Sequence, residues 1–181
     1  MLSPSGCPPP VACLPTLIQL SAWWDMQALL TATVVWLSTN FDLPPVYEHP
    51  RIERASSTEM MNLYHQGFLG DPSRGISVTE NQDRSEYRRP VVSLYHVATK
   101  TIYLSNEWTG RTPAELSILV HEMVHHLQHL THTSYACPQA RERLAYDAQD
   151  KWLSVFGRSL LSEFKLDRFT VILTTMCMEP E

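Results

Sequence analysis

Positive charge is scarce in this sequence of 181 residues, and no Lys or Arg stands before Arg51. The segment ahead of Arg51 therefore lacks the basic n-region with which a secretory signal peptide begins. Over the whole chain, 14 Lys and Arg stand against 19 Asp and Glu, which gives a net charge of −5. This balance argues against a nucleic-acid groove and against a polybasic membrane surface, because both need clustered positive charge.

Cysteines and long uncharged segments are also few. Four Cys in a chain of this length do not make a disulfide scaffold. Two of them, Cys137 and Cys177, either form a disulfide or stay as two free thiols. After Asp25, the longest uncharged stretch covers residues 26–41, whereas a membrane span needs about 20 residues. We therefore expect no stable membrane span, and the cytoplasm is the default compartment, with the periplasm or secretion as alternatives.

The first 25 residues differ from the rest in composition. They contain five of the 13 Pro and two of the four Cys, and Asp25 is their only charged residue. The first regular helical pattern begins at Met26 and predicts an amphipathic helix that ends near Asn40. We therefore expect residues 1–25 to be a disordered tail or the result of a misassigned start, and residues 26–181 to form a single domain.

The next part of the chain predicts short elements and one long loop. Residues 51–55 are expected to form a short strand, and a Ser-x-x-Glu capping box at Ser56 begins a helix that ends at about Tyr64. Residues 67–90 show no period and are rich in Gly, Ser, Asn, Asp and Arg. We expect them to form an exposed loop that acts as a lid, acts as a plug or is disordered.

A β-hairpin follows this loop. Residues 91–98 and 101–104 are rich in Val, Ile, Tyr and Leu, and Thr99 and Lys100 stand between them as the turn. The hairpin is the last strand-like pattern before the sequence becomes helical. We therefore predict an α+β fold that is mostly helical, with a small antiparallel β-hairpin or sheet ahead of its principal helix.

The principal helix has the clearest boundary in the chain. Thr112 and Glu115 form a capping box around Pro113, which suits the first helical position. This helix is predicted to end at about residue 131. Another helix begins at Pro138.

The principal helix contains most of the histidines. Five of the eight His lie between residues 121 and 132, and residues 121–125 read H-E-M-V-H, an H-E-x-x-H pattern. Side chains four residues apart project from nearly the same helix face, about 6 Å apart along the axis, so His121 and His125 can converge on one metal ion. Glu122 can then reach a water on the metal without coordinating the metal itself. The surrounding residues are apolar, and burial of these polar groups without a partner would be costly.

A catalytic zinc site needs a third protein ligand. His129 lies about 12 Å along the helix axis from His121, which is too far for one tetrahedral ion. His126 points about 100° away from His125. The third ligand therefore has to come from another element.

Glu142, in the following helix, is the favoured third ligand. It lies four residues after Pro138, and His125 lies six residues before the principal helix ends. At about 1.5 Å per residue, two helices packed across the connecting loop would bring these two residues nearly level. Asp147 and Asp150 are the fallbacks, and an alternative is that Glu142 only favours the positive end of its own helix.

These residues resemble the motifs of the gluzincin group of zinc metallopeptidases. Residues 121–125 stand in the place of the gluzincin H-E-x-x-H, and residues 142–145 resemble the downstream Glu-x-x-Ala element. Residues 120–128 are also similar to small uncharacterised bacterial proteins of this type, and the motif-level match covers about residues 101–153. The resemblance implies a zincin-like fold and one Zn²⁺ ion, with Glu122 as the catalytic base and three zinc ligands: His121, His125 and Glu142.

The resemblance also implies how a substrate binds. The strand ahead of the principal helix, here residues 101–104, would line the cleft and hold an extended peptide, which agrees with strand addition as a general mode of recognition. Gluzincins commonly carry an Asp four residues after the ligand Glu, and Tyr146 stands there in this chain. Asp147, Gln149 or a backbone carbonyl would have to substitute as the partner of a zinc-bound His.

The function expected from the sequence is zinc-dependent hydrolysis of a peptide bond in a peptide or protein substrate. Glu122 would act as general base on a zinc-bound water. The alternative is a catalytically weak or inactive metal-binding or interaction module of the same fold, and a third possibility is hydrolysis of a non-peptide bond. The group that stabilises the oxyanion stays open among four residues: Tyr146, Tyr135, His96 and His129.

Overall fold

The computed structural model describes residues 17–69, 92–137 and 139–177, and within these ranges it describes the side chains from residue 26 onward except for residues 64–69. The described residues form six α-helices and a three-stranded sheet, which confirms the predicted α+β class. The elements in chain order are α1 (Leu17–Phe41), β1 (Arg51–Ala55), α2 (Ser57–Leu69), β2 (Ser93–His96), β3 (Thr101–Ser105), α3 (Pro113–Leu130), α4 (Ala140–Ser154), α5 (Leu160–Glu163) and α6 (Arg168–Thr175).

Helix α1 begins at Leu17 rather than at the predicted Met26, and it ends at Phe41, close to the predicted end. The earlier start is consistent with the sequence, because no proline stands between Pro15 and Pro44 to break the helix. The rest of the predicted tail lies outside the described residues. Neither α1 nor any other helix in the described ranges is long and apolar enough to cross a membrane.

Helix α2 begins with the predicted capping box. Oε2 of Glu59 accepts hydrogen bonds from the backbone N–H of Ser56 at 2.8 Å and from its hydroxyl at 2.7 Å. The helix ends at Leu69 and not at about Tyr64, and no proline interrupts the added turn. The start of the predicted loop over residues 67–90 is therefore helical, and the remainder of that loop lies outside the described residues.

The sheet has the strand order β1-β3-β2. Strands β2 and β3 pair antiparallel with Tyr95 opposite Ile102, which confirms the predicted hairpin. A 3-10 turn over Val97–Thr99 joins them, followed by Lys100 with a φ of 50°. Strand β1 pairs with β3 in parallel, so the sheet is mixed and not antiparallel throughout. The long connection between β1 and β3 permits this pairing, since parallel strands need a crossover of a dozen or more residues.

The strand order makes one expectation wrong. Residues 101–104 were expected to hold an extended peptide, but they belong to the central strand β3, which is paired on one side with β1 and on the other with β2. A strand with both edges paired has no backbone groups left for another chain. The hairpin strand that lies at the edge of the sheet is β2.

Helix α3 lies at the centre of the fold, where it contacts α1, α4 and β2. Thr112 and Glu115 form its predicted capping box. The core combines apolar residues from α1, the sheet and α3: Leu30, Val34, Leu37, Ile102, Leu104, Leu119, Val120, Met123, Val124 and Leu127. Because α3 is surrounded by this core, each polar side chain that it buries needs a specific partner.

Cys137 and Cys177 form a disulfide, with their Cα atoms 5.6 Å apart. This decides between the two alternatives that the sequence left open. The bond joins the segment after α6 to the loop ahead of α4. The two cysteines are 40 residues apart, and closing a loop of this length stabilises a fold by about 4 kcal/mol in the chain-entropy model.

We predict that reducing this disulfide lowers the free energy of unfolding by about 4 kcal/mol, because the unfolded chain regains the entropy of the open loop. Peptide mapping of the unreduced full-length chain should recover the cross-linked peptides of Cys137 and Cys177. Urea unfolding with and without reductant measures the stability, and the Cys177→Ser variant should respond to reductant much less than the wild type. Free thiols at both positions in the unreduced protein would contradict the bond.

The cap of α3 gives a second prediction, which concerns pH. Burial raises the pKa of the Glu115 carboxyl, but hydrogen bonds from Thr109 and Thr112 outweigh burial and lower this pKa from 4.5 to about 2. We expect Glu115→Gln to lower the free energy of unfolding at neutral pH by about 1 kcal/mol. The difference from the wild type should shrink as the pH falls from 4.5 towards about 2, because the Glu115 carboxyl then takes up a proton in the unfolded chain while it stays ionised in the folded one.

Urea unfolding at neutral pH and near pH 3 measures this difference. Glu107→Gln, at an exposed carboxylate before the helix, is the control and should leave the stability nearly unchanged at both pH values. A Glu115→Gln effect of the same size at both pH values would show that the ionised carboxylate is not what stabilises the cap.

Candidate metal centre

Helices α3 and α4 pack as an antiparallel hairpin, and their contact brings together the two parts of the predicted motif. Near the connecting loop, His125 of α3 contacts Glu142 of α4. Farther from the loop, Ser117 contacts Gln149. The order of contacts is reversed along the two helices, as antiparallel packing requires. Glu142 therefore lies level with His125, as the spacing from the connecting loop predicted.

Three donor atoms converge between these helices. Nε2 of His121 and Nε2 of His125 are 3.2 Å apart, and Oε2 of Glu142 lies 3.4 Å from the first and 3.1 Å from the second. The donor atoms of a tetrahedral zinc site lie about 3.4 Å from one another when each bond is about 2.1 Å long. The three residues therefore fit a zinc ion with one position open. In the part of the chain that is described, no other group of three His, Cys, Asp or Glu side chains has this arrangement.

Each imidazole is oriented by a glutamine. Nδ1 of His121 lies 3.2 Å from Oε1 of Gln149, and Nδ1 of His125 lies 3.0 Å from Oε1 of Gln128. An amide oxygen accepts hydrogen bonds and donates none, so both Nδ1 atoms carry a proton. In its neutral form, an imidazole held in this way presents the lone pair of its Nε2 to a metal ion, whereas in its protonated form it donates from Nε2 to Glu142. Outer partners of this kind fix the tautomer and the ring orientation of metal-binding histidines.

The two glutamine amides are themselves held in place. Nε2 of Gln149 donates to Oγ of Ser117 at 3.3 Å, and Nε2 of Gln128 donates to the backbone carbonyl of Arg141 at 3.0 Å. Both glutamines are buried, so these contacts decide which end of each amide faces the imidazole. Gln149 is one of the substitutes that the sequence suggested for the missing Asp. Gln128 was not predicted, although its position three residues after His125 puts both side chains on the same helix face.

Glu142 is ionised in this setting. Burial raises the pKa of its carboxyl, but hydrogen bonds with His121 and His125 outweigh burial and hold the pKa far below its usual range. For His125, burial lowers the pKa, and the carboxylates of Glu142 and Glu122 reverse that effect, so the net shift is upward. Arg141 contacts the other oxygen of Glu142, Oε1, at 3.2 Å. An ionised carboxylate beside two imidazoles is a set of donors that suits a divalent cation.

Glu122 lies beside the three donors without joining them. It is 5% exposed, and its Oε1 accepts a hydrogen bond from the hydroxyl of Ser93 at 2.6 Å. Ser93 belongs to β2, and no sequence signal pointed to it, because only folding brings this strand against α3. A carboxylate next to the ligands but outside their group is what a general base requires.

A cavity of about 410 Å³ opens beside His121 and Glu122. Its lining also includes three polar residues, Ser93, Tyr146 and Gln149. The rest of its lining is apolar and is formed by Val92, Ile118, Leu160, Phe164 and Leu166. A volume of this size is typical of ligand pockets, which combine an apolar wall with a few polar groups.

One of the four candidates for oxyanion stabilisation lines this cavity. It is Tyr146, whose ring centroid is 4.9 Å from that of His121. Among the described residues, the other three candidates do not line this cavity: Tyr135, His96 and His129.

The remaining candidate ligands do not reach the three donors. His126 is fully buried on another face of α3, where its Nδ1 lies 3.1 Å from the hydroxyl of Tyr95 and its Nε2 lies 2.6 Å from the backbone carbonyl of Glu48. Burial lowers the pKa of His126, which favours a neutral structural role. Asp147 is exposed, and Asp150 accepts a backbone N–H at the start of α5 at 2.7 Å.

Comparison with known proteins adds one relationship. The model of a family described as a domain of unknown function, DUF6647, matches residues 22–181. No curated protein and no solved structure matches the chain. The functional argument therefore depends on the chemistry of the site.

Removal of the glutamine acceptor tests the metal centre directly. Gln149→Leu keeps a side chain of similar size but leaves Nδ1 of His121 without its acceptor. We expect zinc affinity to fall by about 10- to 100-fold, because the imidazole is then free to reorient. Competition with a fluorescent zinc chelator measures the affinity. Gln139→Leu, at an exposed position ahead of α4, should bind zinc like the wild type, and equal affinities for the two variants would contradict the orienting role.

Proposed function

We propose that the chain, which belongs to the DUF6647 family, is a zinc metallopeptidase with a zincin-like fold. The observation that carries the proposal is the convergence of His121, His125 and Glu142 on one point beside the buried carboxylate of Glu122. A sheet packed against the H-E-x-x-H helix, followed by a second helix with the third ligand, supports the zincin-like arrangement.

Two imidazoles and one carboxylate form a ligand set that suits zinc, and three protein ligands leave one coordination position free. His121, His125 and Glu142 would hold the ion. When bound, zinc acts as a Lewis acid that lowers the pKa of a coordinated water and polarises a carbonyl group.

Glu122 supplies the proton transfers of the proposed reaction. Its carboxylate takes one proton from the water whose oxygen adds to the carbonyl carbon of the scissile bond. The C–N bond then breaks, and Glu122 gives the proton to the leaving nitrogen. The products are a carboxylic acid and an amine, so no oxidant, reductant or further reactant is needed. The position of Tyr146 on the cavity wall supports its phenol as the group that stabilises the oxyanion.

The edge of β2 supports an extended peptide as the substrate. The backbone carbonyl of Val92 accepts from the N–H of Ser105 at 3.1 Å, so Val92 is paired with β3. Along an antiparallel strand, the N–H and C=O of one residue point towards the paired strand, and those of the next residue point away from it. Since Val92 points towards β3, the N–H and C=O groups of Ser93 and Tyr95 point to the outer edge of β2. A peptide that adds there would pass beside Glu122, and the apolar part of the cavity would accept an apolar side chain next to the cleaved bond.

The disulfide supports an oxidising compartment, such as the periplasm or the exterior of the cell, over the default cytoplasm. Disulfides persist in such compartments and are rare where thiols are kept reduced. Cys137 and Cys177 lie close enough in the fold to bond without rearrangement.

A second candidate is a metal-binding module with weak or no turnover. Gln128 and Gln149 support it, because neutral amides take the place of the carboxylate that often orients a zinc-bound His. An amide makes the imidazole less basic than a carboxylate does. Such a centre would bind zinc for a structural or interaction role.

The two candidates are separated by measuring bound zinc and peptide hydrolysis on the same samples. We expect one zinc per chain by elemental analysis, and hydrolysis of a quenched peptide library that a chelator abolishes. Glu122→Gln should retain zinc and lose turnover by about 10²- to 10⁴-fold, because only the proton acceptor is removed. His121→Ala should lose both zinc and turnover.

Asp147→Asn is the matched control, because it removes an exposed carboxylate from α4 near the ligand Glu142. It should keep both zinc and turnover. Unchanged turnover in Glu122→Gln would make the general-base assignment wrong. Stoichiometric zinc in a wild-type protein that cleaves no peptide would favour the second candidate.

A further inference from the structure

The metal site and the proton transfers described above assign no role to the contact between Ser93 and Glu122. The two oxygens lie 2.6 Å apart, and they belong to different elements, β2 and α3. The hydroxyl of Ser93 is the donor, and Oε1 of Glu122 is the acceptor. A hydrogen bond to a charged acceptor is roughly twice as strong as one between neutral groups.

This bond restricts a side chain that is otherwise loosely determined. The terminal torsion of a glutamate has a broad, roughly two-fold distribution, so packing alone does not define the direction of its two oxygens. Ser93 binds Oε1 of Glu122, which leaves Oε2 for a proton on the attacking water. A base misplaced by about 1 Å can lose on the order of 100-fold in rate.

The contact is one of two that join β2 to the same face of α3. Ser93 and Tyr95 are two residues apart and project from one face of the strand, and their hydroxyl groups contact Glu122 and His126, which are four residues apart on the helix. Residues two apart on a strand and residues four apart on a helix each lie on one face, so the two contacts can form side by side. Tyr95 secures the strand against α3, and Ser93 uses that placement to reach the carboxylate.

We propose that Ser93 is a positioning residue that aligns the carboxylate of Glu122 for proton transfer. The proposal rests on the peptidase function proposed above. The backbone groups of Ser93 face the outer edge of β2, where we propose that the substrate binds, and its side chain contacts Glu122. Removing its hydroxyl leaves that backbone edge in place, so the proposed role concerns turnover and not peptide affinity.

The kinetic test compares Ser93→Ala, Ser93→Thr and Ser154→Ala in the full-length, zinc-loaded chain. For Ser93→Ala we expect kcat to fall by about 10- to 100-fold, with KM and zinc affinity at wild-type values. Ser93→Thr restores the hydroxyl in a residue that suits a strand, and should recover most of the lost kcat. Ser154→Ala removes an exposed hydroxyl at the end of α4 and should match the wild type.

Crystal structures of the zinc-loaded variants give a readout that does not depend on activity. The Glu122 carboxylate should occupy more than one orientation in Ser93→Ala and a single, wild-type orientation in Ser93→Thr. An unchanged kcat in Ser93→Ala, or a carboxylate that keeps its wild-type orientation there, would overturn the proposal. A wild-type protein that hydrolyses no peptide would instead count against the peptidase function, and the crystal structures would still decide whether Ser93 orients Glu122.

Discussion

The close antiparallel contact between α3 and α4 is the interaction on which the rest of this molecule depends. Ala145 and Ala148 are fully buried on α4, and such small side chains let two helices approach closely. That approach brings Glu142 within reach of both imidazoles of α3. Without α4, the two histidines would remain without a charged partner, and the cluster would have no third ligand.

The buried polar groups of α3 also determine how the helix sits in the fold. Glu122 is bonded to β2, His126 to β2 and to the segment before β1, and Gln128 to the backbone at the start of α4. These bonds join α3 to three other parts of the chain. A buried polar group left unpaired costs about 1–3 kcal/mol, so a shift of the helix by one turn would lose several such contacts together. The same bonds that place α3 therefore place the chemical groups that it carries.

The order of the strands decides which strand lies at the edge of the sheet beside α3. A parallel third strand covers one edge of β3, and this leaves β2 at the boundary of the sheet beside α3. Ser93 then links that boundary to Glu122, while α4 and the segment containing Leu160 and Phe164 complete the wall of the cavity. The three donor atoms, the carboxylate of Glu122 and the edge of β2 thus come from α3, α4 and the sheet, which meet at one place.

Sequence patterns among neighbouring residues were enough to predict much of this arrangement. Helical periodicity is enough to bring His121 and His125 to one face, and equal spacing from a short loop is enough to bring Glu142 level with them. Capping chemistry likewise predicted where α3 begins, because Thr112 and Glu115 interact within one turn. These features depend on contacts between residues close in sequence, or on two helices joined by a few residues.

Contacts over longer separations could not be predicted in the same way. Ser93 and Glu122 are 29 residues apart, and Cys137 and Cys177 are 40 apart, so no periodicity relates either pair. The parallel pairing of β1 was missed for the same reason, and with it the identity of the edge strand. The sequence by itself determined the three donor residues and Glu122, because they follow from helix periodicity and from two helices joined by a short loop. The packing of strand and helices decided how those groups are oriented, because orientation depends on neighbours that only the folded chain brings into contact.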